Sequence, residues 1–262
     1  MHEPVIPSAW RRELVERANL DEAYAVVGGS THFFAEAFLG RIRSLQLRHA
    51  DAQEHFQQSR LLSAAAPKTL LNLLRKFLLS TYVVHDAITE LPIDRATTKL
   101  PELWVPEIPE AMAGEQKDLQ ILVRKRNCTE AMVRLHLCDF EGARDLYASA
   151  LERLGGEVAI AHGFPYLGLA AALHNLGEEA EALKHLENAG YVVQSGGNNL
   201  SRVNLAALLN AFYWFLGRKE EARDWLAFLD ALPCPQATQQ IFKRRAKRVL
   251  ERCNAGERLV LL

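Results

Sequence analysis

An all-α fold assembled from stacked antiparallel helix hairpins follows from two observations. The first is composition. Of 262 residues, 36 are alanine and 41 are leucine, while valine, isoleucine and threonine together number 31. Alanine and leucine lose little side-chain freedom in a helix, and β-branched residues favour strands. This balance excludes a β-sandwich and argues against a parallel α/β sheet. The second is a helix–turn–alanine pattern that recurs three times at near-constant spacing.

At 49% hydrophobic and 24% charged, the chain reads as globular, not disordered. A net charge of −1 favours neither nucleic acid nor an anionic membrane as a partner. Cys128, Cys138, Cys234 and Cys253 form no CxxC pair, which fits reduced thiols in a cytoplasmic protein. The N-terminus carries Glu3 and early prolines and no apolar run, so it does not read as a secretory signal. The stretch from Leu70 to Ile88 is apolar but holds Arg75, Lys76, His85 and Asp86. It reads as a buried helix, because a membrane span needs about 20 mostly uncharged residues.

Residues 1–91 form an N-terminal helical region. Ser8 to Val27 holds one or two short helices, ended by Gly28 and Gly29. Ser30 and Thr31 are placed to cap a helix running to about Leu47. Ala52, Phe56 and Ser59 follow at an alanine–large–small spacing, so 31–63 reads as a hairpin. Pro67 suits the first turn of a long helix reaching about Glu90. That helix is apolar nearly all round, which places it centrally or at an interface.

Residues 92–114 break the pattern. They hold four of the ten prolines, Pro92, Pro101, Pro106 and Pro109, with Trp104, Val105, Ile108 and Met112. A connector this long and this apolar is expected to pack onto helices or to act as a strap that touches a partner.

The repeats occupy 115–232. The first runs through Leu135 and Cys138 to Ala143, Tyr147 and Ala150. The second runs through Leu173 and Gly177 to Ala182, Leu186 and Ala189. The third runs through Phe212 and Gly217 to Ala222, Leu226 and Leu229. The leading alanines lie 39 and 40 residues apart. Gly177 and Gly217 end the first helices where φ > 0 is required. A small alanine early in the second helix lets the pair cross closely. Tyr147, Leu186 and Leu226, one turn on, fill the seam. One hairpin cannot bury both faces, so successive hairpins must stack.

These residues resemble the tetratricopeptide repeat (TPR) family. Its consensus carries a turn glycine, then an alanine, a large apolar residue and a small residue at the spacing of Gly177, Ala182, Leu186 and Ala189. The third repeat has Leu229 at the small position, and the first has Cys138 in place of glycine. The period also exceeds the family's usual ~34 residues, which implies longer helices or loops. The resemblance implies a right-handed superhelical array, a TPR-like α–α solenoid, whose first helices line a concave groove.

By repeat position that groove takes in Lys125, Cys128, Met132 and His136. It continues through Phe164, Leu167, Ala171, His174 and Asn175 to Asn204, Ala207, Ala211 and Trp214. Some family members grip a C-terminal carboxylate with lysines, an arginine and asparagines. Only Lys125, Asn175 and Asn204 suit that grip here, so an apolar segment or amphipathic helix is the better-matched ligand. On a plainer reading the same residues contact a neighbouring helix or the connector.

No catalytic signature of the GxSxG, Walker, GxGxxG or HExxH type occurs, and the nine histidines do not cluster with carboxylates at metal spacing. No catalytic residue, cofactor or metal is therefore expected. The segment Ser195 to Ser201 reads as an inter-repeat turn with Asn198, Asn199 or Ser201 as cap, or as an anion seat on backbone amides.

In 233–262 a helix at about 236–252 carries Lys243, Arg244, Arg245, Lys247, Arg248 and Arg252 against Glu251. Ile241, Phe242, Ala246, Val249 and Leu250 form its apolar side. It reads as a capping helix with solvated charges, or as a contact for RNA, an acidic protein surface or anionic lipid. The apolar tail 259–262 must be covered. The functional expectation is a non-enzymatic scaffold or adaptor for a protein or peptide. A ligand- or peptide-responsive regulatory module and an adaptor using the basic helix are the alternatives. Self-association stays open, while nucleic-acid and membrane contacts are disfavoured.

Overall fold

The computed structural model describes residues 6–90, 116–152, 163–256 and 258–260, and every regular element among them is a helix. Helix α1 (Ser8–Arg11) continues as a wider π-type turn through Arg12–Glu16. It is followed by α2 (Leu20–Val27), α3 (Phe33–Leu45), α4 (His49–Ala64), α5 (Leu70–Glu90) and α6 (Gln116–His136). Then come α7 (Phe140–Glu152), α8 (Gly163–Asn175), α9 (Glu179–Gln194), α10 (Asn199–Phe215), α11 (Lys219–Asp230) and α12 (Gln236–Gly256). Among the described residues no helix is long and apolar enough to cross a membrane. The Pro-rich segment 92–114 lies outside the described residues.

Four helix pairs, α3/α4, α6/α7, α8/α9 and α10/α11, pack as hairpins. They share one turn. Its central residue takes a left-handed conformation, with φ of 62° at Leu47, 61° at Cys138, 82° at Gly177 and 74° at Gly217. The next amide donates back across the helix end: Arg48 to the Arg43 carbonyl, Asp139 to Arg134, Glu178 to Leu173 and Arg218 to Tyr213. This is a Schellman closure, which satisfies carbonyls that the helix end leaves orphaned. Ala52, Ala143, Ala182 and Ala222 then donate to Arg48, Asp139, Glu178 and Arg218, closing the first turn of each second helix. All four alanines are buried, as the close crossing requires. The turn also occurs where no glycine stands, so Leu47 and Cys138 adopt a conformation that costs about 1–2 kcal/mol for a residue with a Cβ.

Two helix starts differ from the sequence expectation. His32, not Ser30 or Thr31, caps α3, its Nδ1 accepting from the Phe34 amide at 3.1 Å. Thr69, not Pro67, opens α5, its hydroxyl accepting from the Asn72 amide at 3.2 Å. The Asn72 carboxamide returns to the Pro67 carbonyl at 3.0 Å, so the proline stands in the approach to the helix.

Successive hairpins are joined through α7 against α8 and α9 against α10. Gly168 of α8 permits the first of these approaches, because a Cβ there would fall within the Tyr147 ring. On the N-terminal side α5 packs against α3, α4 and α6. Its Val84 and Ile88 form a small apolar cluster with Met132 of α6.

The last helix does not continue the stack as an outer cap. It lies chiefly on α10, a first helix, and buries Phe242, Ala246, Val249 and Cys253. Three polar ties bind it to the N-terminal helices. The Thr238 hydroxyl donates to the Ala18 carbonyl at 2.7 Å, and Arg245 Nη1 to the Ser44 carbonyl at 3.4 Å. Arg252 Nη1 donates to the Ile88 and Thr89 carbonyls at 3.1 and 2.7 Å. The expectation of a helix with its charges in solvent is thus corrected at Arg245, which is 7% exposed. One continuous apolar core runs from Leu14 to Val260.

Candidate functional site

Asn175 closes α8, two residues before the turn glycine. Its Nδ2 donates to the Ala171 carbonyl at 2.7 Å and to the Leu259 carbonyl at 2.7 Å. Its Oδ1 accepts from the Leu259 amide at 3.1 Å. One carboxamide thus reads both main-chain groups of a residue in the C-terminal tail, as a neighbouring strand would. Leu259 and Val260 are each 1% exposed.

The tail is also held from α12. The Arg258 amide donates to the Cys253 carbonyl at 3.1 Å. The Val260 amide donates to Cys253 Sγ, and that thiol donates to the Val260 carbonyl, both at 3.4 Å. Burial pushes the Cys253 thiol up to about 11, so it stays protonated and able to donate. Arg258 reaches Cys138 Sγ at 2.9 Å, in the turn that ends α6. The tail therefore touches the ends of two successive first helices.

A cavity of about 190 Å³ opens between α10, α11 and α12. Ala207, Asn210 and Trp214 form its α10 wall, and Lys243, Lys247 and Leu250 part of its α12 wall. The Asn210 carboxamide donates to the Ala222 carbonyl at 2.6 Å.

The other residues expected in the groove are placed unequally. Met132, His136, Leu167, Ala171, Ala207 and Ala211 are buried within helix packing. Of these, Ala207 still reaches the cavity wall, and Met132 faces α5. Cys128 and Asn204 are half-buried, and Phe164 is exposed. His174 is half-buried and meets Phe215 of α10 edge-on at 5.7 Å. Burial lowers the His174 pKa, with Glu179 opposing the shift. The Lys125 side chain lies outside the described residues. Asn175, Ala207 and Trp214 are thus the expected residues placed at the α12-and-tail unit.

The basic stripe is less available than its sequence implies. Arg245 is buried, Lys243 pairs with Asp230, and Lys247 pairs with Glu251 at 3.7 Å. Arg244 and Arg248 are exposed. In the segment before α10, Asn198 is the cap, its Oδ1 accepting from the Ser201 amide at 2.8 Å. Among the described residues no group of His, Cys, Asp or Glu is placed to hold a metal ion.

Sequence reasoning missed the occupant of this face. The signal was the apolar tail, which had to be covered, but nothing in its local spacing pointed to Asn175. It also missed a polar cluster formed by Arg41, Tyr82, His85 and Asp86 with Arg245, because those residues come from three separate helices. Comparison with known proteins finds no matching family model, no matching curated protein and no matching solved structure.

Proposed function

We propose that this chain is a non-enzymatic interaction module, a TPR-like α–α solenoid wound as a right-handed superhelix. Its first helices present a concave face to an extended apolar peptide segment of a partner protein. The observation that carries this reading is the grip of Asn175 on the main chain of Leu259. A carboxamide that exchanges hydrogen bonds with both backbone groups selects an extended strand whatever its side chains, and adjacent apolar burial supplies the selectivity. The chain's own tail then acts as the resident segment, and a partner of similar chemistry exchanges with it. Trp214 and Asn210, which line the cavity, stand on the next first helix. The four free cysteines accord with a reducing, cytoplasmic setting.

The test uses the full chain and a fluorescent peptide of sequence Arg-Leu-Val-Leu-Leu. Binding is expected to be weak in the parent protein, stronger when Leu259→Asp expels the resident tail, and lost when Asn175→Ala is added. Trp214→Ala is expected to weaken it. Equal binding by the Leu259→Asp protein with and without Asn175 removes the proposal. A contact through the basic helix is the weaker reading, because Lys243, Arg245 and Lys247 are paired or buried.

A further inference from the structure

Three helices converge away from the tail seat. Arg41 and Ser44 stand one turn apart on α3, Tyr82, His85 and Asp86 lie on α5, and Arg245 comes from α12. The Arg41 guanidinium carbon lies 5.6 Å from the Tyr82 ring centre, and Arg245 Nη1 donates to the Ser44 carbonyl. Asp86 is 1% exposed and already engaged, at 2.7 Å from His49 Nδ1 and 2.7 Å from Gln53 Nε2. Arg41, Tyr82 and His85 are half-buried, and Arg245 is 7% exposed. Among the described residues neither guanidinium forms an ion pair, and neither the Tyr82 hydroxyl nor the His85 ring forms a hydrogen bond.

Two cations, one buried and one half-buried, therefore stand near one carboxylate whose oxygens are taken. Burying an uncompensated charge is costly unless a partner of opposite sign is supplied. His85 does not add a third cation, since burial and the fields of Arg41 and Arg245 push it down to about 3. Arg245 falls to about 9, first through burial and then through repulsion from Arg41, and so stays charged at neutral pH. The guanidinium is a planar fork suited to oxyanions, and two of them near one another can share one anion.

We infer that this cluster binds a phosphate-type oxyanion between the guanidiniums of Arg41 and Arg245, with the Tyr82 hydroxyl as a further donor. This is a second site, separate from the tail seat and independent of the peptide reading. It would let an anionic small molecule clamp α12 onto the N-terminal helices.

The experiment is isothermal titration of the full chain with inorganic phosphate and, separately, with glycerol phosphate. Both use constant ionic strength, with sodium chloride as the reference, and thermal shift provides a parallel readout. Saturable binding is expected, weakened about tenfold or more by Arg41→Gln and by Arg245→Gln. The exposed Arg244→Gln serves as control and is expected to leave it unchanged. Equal affinity for both probes assigns the free ion, and tighter binding of the ester assigns a phosphorylated metabolite. Arg41 is half-buried, so its substitution tests the site even where Arg245→Gln fails to fold. No saturable binding, or binding that survives Arg41→Gln, overturns the inference.

Discussion

The carboxamide of Asn175 exchanges two hydrogen bonds with the main chain of Leu259, a residue 84 positions later. It joins the end of α8 to the tail that leaves α12. Replacing Asn175 by alanine leaves both Leu259 groups without that partner in a buried setting. A loss of about 1–3 kcal/mol is expected. The tail should also become a substrate for carboxypeptidase, and unchanged resistance to digestion would show that it is held elsewhere.

Arg252 holds α12 against the C-terminal end of α5 through the Ile88 and Thr89 carbonyls. A cation at a helix C-terminus also meets the negative end of the helix dipole. Arg252→Met should lower stability by about 1–3 kcal/mol in urea denaturation. Hydrogen exchange should quicken in the last turn of α5 as well as in α12. Faster exchange confined to α12 would speak against the tie.

Gly168 lies against the Tyr147 ring where α8 meets α7. Gly168→Ala should cost about 1–3 kcal/mol through overpacking. Adding Tyr147→Leu should recover part of that cost, since the added methyl then has room. A double-mutant cycle measures the coupling; additive losses would mean that the two residues do not meet.

Leu47 occupies the left-handed turn position that glycine holds in the second and third sequence repeats. Leu47→Gly should stabilise the chain by up to about 1 kcal/mol, the relief of the Cβ strain less the added freedom of the unfolded chain. Gly177→Ala, at the equivalent turn, should destabilise it. Melting temperatures that move together in these two variants would contradict the shared turn.

His85 is held neutral at a pKa of about 3 by burial and by Arg41 and Arg245, against an ordinary value of 6.5. A depressed pKa in the folded state means that its contribution is fully present above ~6.5 and is lost as pH falls from there toward ~3. Asp86, adjacent on α5, also sits below its ordinary 3.8: burial raises it, but hydrogen bonds from His49, Ser44 and Gln53 outweigh that. Its contribution is lost only below that value, so the range from pH ~6.5 to ~4.5 leaves Asp86 out, and the comparison with His85→Gln separates His85 from His174 and His185, whose pKa burial also lowers. The fall in melting temperature across that range should be shallower in His85→Gln. Parallel curves would exclude His85 as a source.

Local features were legible in the residues themselves. The spacing from turn to alanine recurs in the folded chain at Leu47, Cys138, Gly177 and Gly217 because it is written by short-range sterics, whereas Leu226, expected in the third seam, is half-buried and its neighbour Trp225 is buried instead. A left-handed residue must end the first helix, and a small one must follow where the helices cross. The starts of α3 and α5 were harder to read, since Ser30, Thr31, His32, Pro67 and Thr69 are all plausible openers and only the hydrogen bonds choose among them.

The sequence by itself determined that the chain is helical, where most of its hairpins turn, and which alanines admit close crossing. These follow from composition and from contacts within a few residues. Only the tertiary structure decided that α12 lies on α10, that Arg245 is buried beside Ser44, and that Asn175 holds Leu259. An amphipathic helix rich in arginine suits a solvated cap or an inner strut equally well. The choice rests on which distant carbonyls and apolar faces are left to receive it, and that depends on the packing of the whole chain.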